Sequence, residues 1–271
     1  MQVEIKSLNI NFSSRAVDEY EAFSLTNRLP YLEKWIEQQL KKATLPVIFA
    51  FQEVMPESRL SLEELLEETH NSYLTQTHPI GRSIMIFIPR ELKSHEYLDD
   101  TMTTLDGKDL DRHVYLGVVI ENLNLFITGH LPMDEKYRDI YIDQLSKIIQ
   151  KTSLNTSIKN KIVCGDFNPF PDAGGIFQRW KLQLESGLCD LSTFLESEDR
   201  KTLVIKTFEG YPYDKIPDGV LPSNLDCWFS SLLPDEHIKA SWVPGFKYKG
   251  KEYSASDHMA THAKFTLEIN K

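Results

Sequence analysis

Polar, metal-competent side chains stand at the ends of four apolar runs in this 271-residue chain. Gln52-Glu53 follows VIFAF, and a carboxylate at the C-terminal end of a buried strand is where α/β sheets place ligand and catalytic groups. Gly165-Asp166-Phe167-Asn168-Pro169 follows IVC. Residues i and i+2 of a strand share a face, so Asp166 and Asn168 would converge while Phe167 turns into the core. An acceptor beside an amide can orient a water and hold a phosphoryl oxygen together. Ser256-Asp257-His258, ahead of the last apolar run, supplies a metal-competent carboxylate next to a titratable imidazole. Asp226, at the start of DCWFSS, is a carboxylate that can orient a histidine. Taken singly, these stretches also read as an exposed strand end, an Asp-Phe-Asn-Pro turn and an ordinary loop. Asn9 on the first strand and His130 at the end of LFITGH complete an ordered series, each member ending or starting an expected strand.

The elements that must position these residues alternate along the chain. Val3, Ile5, Leu8 and Ile10 read as a strand, and LPVIFAF at 45–51 as a strand buried on both faces. Asn27 is the expected cap of a helix carrying Leu29, Leu32, Ile36 and Leu40, with Pro30 in its first turn. Ser61 and Glu64 suggest a capping box ahead of Leu65 and Leu66. SIMIFIP at 83–89 is another strand; HVYLGVVI and LNLFITGHL pair through a turn at Glu121-Asn122. A helix opens at Asp134 with Tyr137, Ile140, Tyr141, Leu145 and Ile148 on one face, and strands follow at 162–167, 225–231 and 259–269. Strands outnumber helices and the two are mixed throughout, which predicts one α/β domain over 1–271 with stacked sheets and outer helices.

Composition narrows the classes. Hydrophobic residues at 41% and charged residues at 26% are ordinary globular usage, which excludes coiled-coil, collagen and disordered chains. No run approaches the ~20 apolar residues of a membrane-spanning helix. The N-terminal residues show no basic then apolar leader, so a cytoplasmic protein is expected. Three cysteines without a CxxC pair support neither a disulfide framework nor a zinc knuckle. A net charge of −10 gives no global electrostatic footprint for bulk nucleic acid, though a local basic rim is compatible with it.

Ordered as SLNI, FQEV, TGHLP, GDFNPFP, NLDCWF and SDH from residue 7 to residue 258, these stretches resemble the endonuclease/exonuclease/phosphatase superfamily, the family of deoxyribonuclease I and the abasic-site endonucleases. The resemblance implies a four-layer α/β sandwich, two packed mixed β-sheets flanked by helices. It also implies residue roles. Glu53 would be the principal ligand of Mg²⁺ or Mn²⁺, with Asp257 contributing. Asp226 and His258 would form a carboxylate–imidazole pair, and Asp166 would position or activate the attacking water. Asn168 and His130 would contact the scissile phosphate, and Asn9 would help to orient Asp166 or a metal-bound water. The implied reaction is in-line phosphoester hydrolysis. Asn224 departs from relatives, which often carry arginine there.

Two loops precede catalytic motifs and are expected to border the substrate. Residues 208–222 carry Tyr211 and Tyr213; residues 246–253 alternate Lys247, Tyr248, Lys249, Lys251 and Tyr253 around Gly250. Lysine with tyrosine suits phosphates and stacked bases, and a solvated hairpin is the plain alternative. Arg82 and Arg138 are further candidates for holding phosphate. The expected partner is therefore a phosphoester substrate, nucleic acid first, with the chain acting as a monomer. A phosphoinositide, sphingomyelin or other small phosphoester is the second reading, and an inactive scaffold of the same fold the third.

Overall fold

The computed structural model describes residues 1–10, 25–75, 82–97, 114–131, 135–154, 157–167, 187–191, 226–241, 243–248, 251–253, 255–256, 258 and 260–269. Of the expected site residues, Asn168, Tyr211, Tyr213, Lys249 and Asp257 lie outside them, as do the side chains of Arg138, Lys247 and Tyr248. The chain opens with β1 (Gln2–Asn9), α1 (Leu25–Lys42), β2 (Val47–Val54), α2 (Pro56–Leu66), β3 (His70–Leu74), β4 (Ser83–Pro89) and β5 (Ser94–Glu96). It continues with β6 (Tyr115–Ile120), β7 (Asn124–His130), α3 (Glu135–Ser153), β8 (Asn160–Asp166) and β9 (Cys189–Asp190). The last strands are β10 (Asp226–Ser230), β11 (Lys239–Ser241), β12 (Phe246–Tyr248), β13 (Lys251–Tyr253) and β14 (Ala260–Thr266).

Period-two alternation sorts these strands into two six-stranded sheets, β11-β14-β1-β2-β4-β3 and β5-β6-β7-β8-β10-β9, with β12-β13 a separate hairpin. Each large sheet is built the same way. Its two central strands are parallel, β1 with β2 and β7 with β8, and a helix, α1 or α3, connects them. The flanking strands β14 and β10 run antiparallel to them. The C-terminal ends of four central strands and the N-terminal ends of two neighbours therefore share one edge.

Apolar side chains fill three zones. Val3, Ile5, Ile48, Ala50, Phe126, Cys164, Trp228 and Phe265 pack between the sheets. Leu32, Trp35 and Ile36 of α1 and Leu62 and Leu66 of α2 cover the outer face of the first sheet against Phe49, Phe51 and Phe87. Tyr141, Leu145, Ile148 and Ile149 of α3 cover the second against Leu125, Ile127 and Phe229. The result is the four-layer sandwich of two mixed sheets between helices. No helix among the described residues is long and apolar enough to cross a membrane.

Local details depart from the sequence reading at helix starts. Helix α1 begins at Leu25, so Asn27 and Pro30 lie inside it, past the expected cap. Helix α2 begins five residues earlier than Ser61, at Pro56, where Ser58 accepts from the Met55 N–H at 3.0 Å and donates to the Met55 carbonyl at 2.9 Å. Ser61 bonds Glu33 of α1 instead. Ser61 shows why the second was misplaced: a side chain that favours caps can serve a helix–helix contact instead. The Glu121-Asn122 turn is as expected, with φ of 54° and 58°, the hand that matches strand twist in a hairpin.

One glycine pair is indispensable to the shared edge. Gly165 of β8 lies opposite Gly129 of β7, with φ of 139°, and a Cβ there would stand 2.1 Å from the Gly129 carbonyl oxygen. Both strands would have to separate directly beneath His130 and Asp166. Gly165→Ala is therefore expected to destabilise the fold by at least about 2–3 kcal/mol, read as a fall in the urea midpoint without a change of slope. A midpoint equal to wild type would mean that the two strands tolerate separation here.

Candidate active site

Along each central strand the inward face turns from apolar to polar toward the shared edge. In β1 the inward residues are Val3, Ile5, Ser7 and Asn9, with Val3 and Ile5 in the inter-sheet core. A buried polar layer forms first. Gln52 donates to Thr128 Oγ1 at 2.8 Å and to Ser7 Oγ at 3.2 Å, crossing between the sheets, and Trp228 Nε1 donates to Thr261 Oγ1 at 3.0 Å, crossing again. These bonds place hydrogen-bonded groups between the dry core and the edge, where unpaired ones would be costly.

Glu53 owes its direction to a break in β2. The pairing of β2 with β4 shifts between Phe51 and Val54, and Glu53 has φ of 54°. A non-glycine residue at positive φ costs on the order of 1 kcal/mol or more, and such strain collects at functional sites. The bulge puts Val54 back into the outer core and frees the Glu53 carboxylate to reach the inter-sheet edge.

Four contacts then cross the seam. Asn9 Nδ2 donates to Asp166 Oδ2 at 3.1 Å and to Glu53 Oε1, also at 3.1 Å. His130 Nε2 lies 3.2 Å from Glu53 Oε1 and 3.6 Å from Asp166 Oδ2. His258 Nδ1 lies 3.0 Å from Asp226 Oδ2, and its Nε2 lies 3.6 Å from Asp166 Oδ2. A carboxylate only accepts, so Asp226 holds the proton on Nδ1 and turns Nε2 toward Asp166. Arg82, on the rim, pairs with Glu53 Oε2 at 2.5 Å. Asp166 is 2% exposed and Asp226 6%. Burial pushes the Asp166 carboxyl above its ordinary pKa, the His258 and His130 rings opposite pull it down, and Asp226 beside it pushes it up further.

Six expected residues thus meet: Asn9, Glu53, His130, Asp166, Asp226 and His258. Arg82 meets them from β4's start. Arg138 falls on α3 with its side chain outside the described set, and Asn168 and Asp257 follow described neighbours closely without being described themselves. Hairpin β12–β13 places Lys247 opposite Glu252 and Tyr248 opposite Lys251.

Sequence reading passed over Ser7, Thr128 and Thr261. Their signal was available, because Ser7 and Thr128 lie two residues before Asn9 and His130 on the same strand faces. It also gave Ser256 no role. Ser256 Oγ donates to the Asn9 carbonyl at 2.5 Å and accepts from the His258 N–H at 3.0 Å, tying those two residues together.

A divalent cation suits this donor set. Glu53, His130 and Asp166 each offer a ligand atom, all within 4.8 Å of one another. Two carboxylates and one imidazole, with no thiolate, match a hard ion such as Mg²⁺ or Mn²⁺ better than structural zinc.

No family model matches the sequence, and no curated protein matches it significantly. Solved structures do match over nearly the whole chain. TDP2 of Caenorhabditis elegans, in truncated form, superposes with a TM-score of 0.67 at 14% identity over 98% of each chain. D. rerio TDP2, complexed with single-strand DNA product, gives 0.61 at 16% over 98% of this chain and 99% of that one. An endonuclease/exonuclease/phosphatase protein of Bacteroides vulgatus gives 0.62 at 17% over 99% and 100%. The mannosyl-6-phosphatase Bt3783 of Bacteroides thetaiotaomicron gives 0.60 at 14% over 96% and 98%. With two mixed sheets flanked by helices and its polar residues gathered at one inter-sheet edge, the chain has the fold of the endonuclease/exonuclease/phosphatase superfamily.

Proposed function

We propose that this chain is a divalent-metal-dependent phosphoester hydrolase, and that its substrate is a nucleic-acid phosphodiester. The observation that carries the proposal is the convergence of Asn9, Glu53, His130, Asp166, Asp226 and His258 from six different strand ends, with four contacts among them crossing between the sheets. Glu53 would hold Mg²⁺ or Mn²⁺, which when bound supplies positive charge for the phosphoryl oxygens. Asp257 is a further proposed ligand.

The chain's own groups account for the rest. Asp166, buried and oriented by the Asn9 amide, accepts the proton of the attacking water. His258, fixed by Asp226 through Nδ1, presents Nε2 as a donor to the phosphate, and Asp226 stabilises the ring in its charged form. His130 and Asn168 add donors to the phosphoryl oxygens. Arg82, already at Glu53, adds a cation at the rim where an anionic substrate would enter.

Nucleic acid is favoured by the product-bound TDP2 among the structural neighbours and by the aromatic and lysine residues of β12–β13. A small phosphoester is the second reading, supported by the sugar-phosphatase neighbour and the net charge of −10. Assaying one preparation with Mn²⁺ against single-stranded oligonucleotides, plasmid, sugar phosphates, phosphoinositides and sphingomyelin separates them. Oligonucleotide turnover is expected to dominate. Its binding should weaken with salt by about 0.7 log units per phosphate contact, and Lys247→Ala, Lys249→Ala and Lys251→Ala together should flatten that slope by up to about two units. Turnover confined to sugar or lipid phosphates would assign the small-substrate reading.

A further inference from the structure

Helix α1 carries an arginine that is buried where helices on a sheet face normally present apolar groups. Arg28 is 3% exposed. Its Nη1 donates to the Ala255 carbonyl at 2.7 Å and to the Ile10 carbonyl at 3.1 Å. Ile10 directly follows Asn9, and Ala255 stands three residues before His258. The second link between the same two segments is the Ser256 hydroxyl, bonded to the Asn9 carbonyl and the His258 N–H. Two consecutive carbonyls at the end of β1 are therefore captured, one through Arg28 and one through Ser256, by the segment that delivers His258.

The geometry points to Arg28 as a positioning residue for the reaction proposed above: it clamps the end of β1 to the 255–258 segment and so sets the distance between Asn9 and His258 across Asp166. Both ends of the clamp bear on Asp166 Oδ2, which Asn9 reaches at 3.1 Å and His258 Nε2 at 3.6 Å. A buried guanidinium costs several kcal/mol in desolvation unless its hydrogens are bonded, so an apolar residue would fill this place more cheaply if filling were all it did. Both bonds leave one nitrogen, Nη1, whose two hydrogens reach the two backbone segments at once. A lysine stem is one bond shorter, so its ammonium stops short of the place of Nη1.

The inference rests on the hydrolase reading for its kinetic readout, and a second readout is independent of it. Arg28→Met, Arg28→Lys and, as a stability control, Leu32→Ala in the outer core of the same helix would be compared with wild type. The Nδ1–H proton of His258, shared with Asp226, gives a downfield proton resonance identified by its loss in His258→Ala. In Arg28→Met that resonance should shift or exchange away, and kcat on a chromogenic phosphodiester with saturating Mn²⁺ should fall about 10–100-fold with KM little changed. Arg28→Lys, which retains the charge and is the safer folder, should show the same changes. Leu32→Ala should lose stability yet keep both resonance and kcat. An Arg28→Lys protein with the wild-type resonance, or losses in Leu32→Ala matching those of the Arg28 variants, would overturn the assignment. If the wild-type protein turns over no phosphodiester, the hydrolase reading fails, and the resonance alone still decides whether Arg28 sets the position of His258.

Discussion

Removing the His258 ring as alanine, or replacing Asp226 with asparagine, is expected to lower turnover by about 10²–10⁴ in each case, and doing both should cost little more than the worse of the two. The reason is that Nδ1 and Oδ2 stand 3.0 Å apart in a site where both residues are buried. Asparagine at 226 can offer Nδ1 a donor instead of an acceptor, which keeps the ring neutral and removes the positive charge that the aspartate would stabilise beside the phosphate. With the ring gone, the aspartate has nothing left to orient. Kinetics of the two single variants and the double variant, on one chromogenic diester, form the cycle. Losses that multiply independently would show that the contact has no part in turnover.

Glu53→Gln is expected to weaken Mn²⁺ binding by at least about 100-fold, measured calorimetrically without substrate. A formal negative charge is the main attraction a hard cation finds in such a site. The substitution keeps the shape and removes that charge. It also strands Arg82, which pairs with Glu53 Oε2, leaving a guanidinium near the place of the ion and adding repulsion to the lost attraction. Undiminished Mn²⁺ affinity in Glu53→Gln would assign the ion to another set of ligands.

How far the sequence could be read follows from which forces are local. Strand positions were legible because short, nearly continuous apolar runs mark strands buried on both faces, and the strand ends carried Asn9, Glu53, His130, Asp166, Asp226 and His258 in recognisable order. Helix starts were less legible. Asn27 and Ser61 have cap-forming side chains, yet α1 begins at Leu25 and α2 at Pro56, because a cap-forming residue type is a weak local preference that a longer helix overrides. The bulge that aims Glu53 leaves no composition signal, since a glycine would have marked a positive φ and glutamate does not. Arg28 was invisible for the opposite reason: arginine on an amphipathic helix reads as solvent-facing, and only the closing of β1 against the 255–258 segment brings two carbonyls to it.

The proposed function makes the seam between the two sheets a phosphoester hydrolase with a divalent ion held by Glu53. Hydrolysis of a chromogenic phosphodiester by wild type and Glu53→Gln, in Mn²⁺ and then in excess chelator, tests it most directly. Wild-type turnover that appears with Mn²⁺, vanishes in chelator, returns when the ion is restored and is absent from Glu53→Gln is the expected result. Turnover that persists in excess chelator, or that Glu53→Gln retains at the wild-type rate, would contradict it.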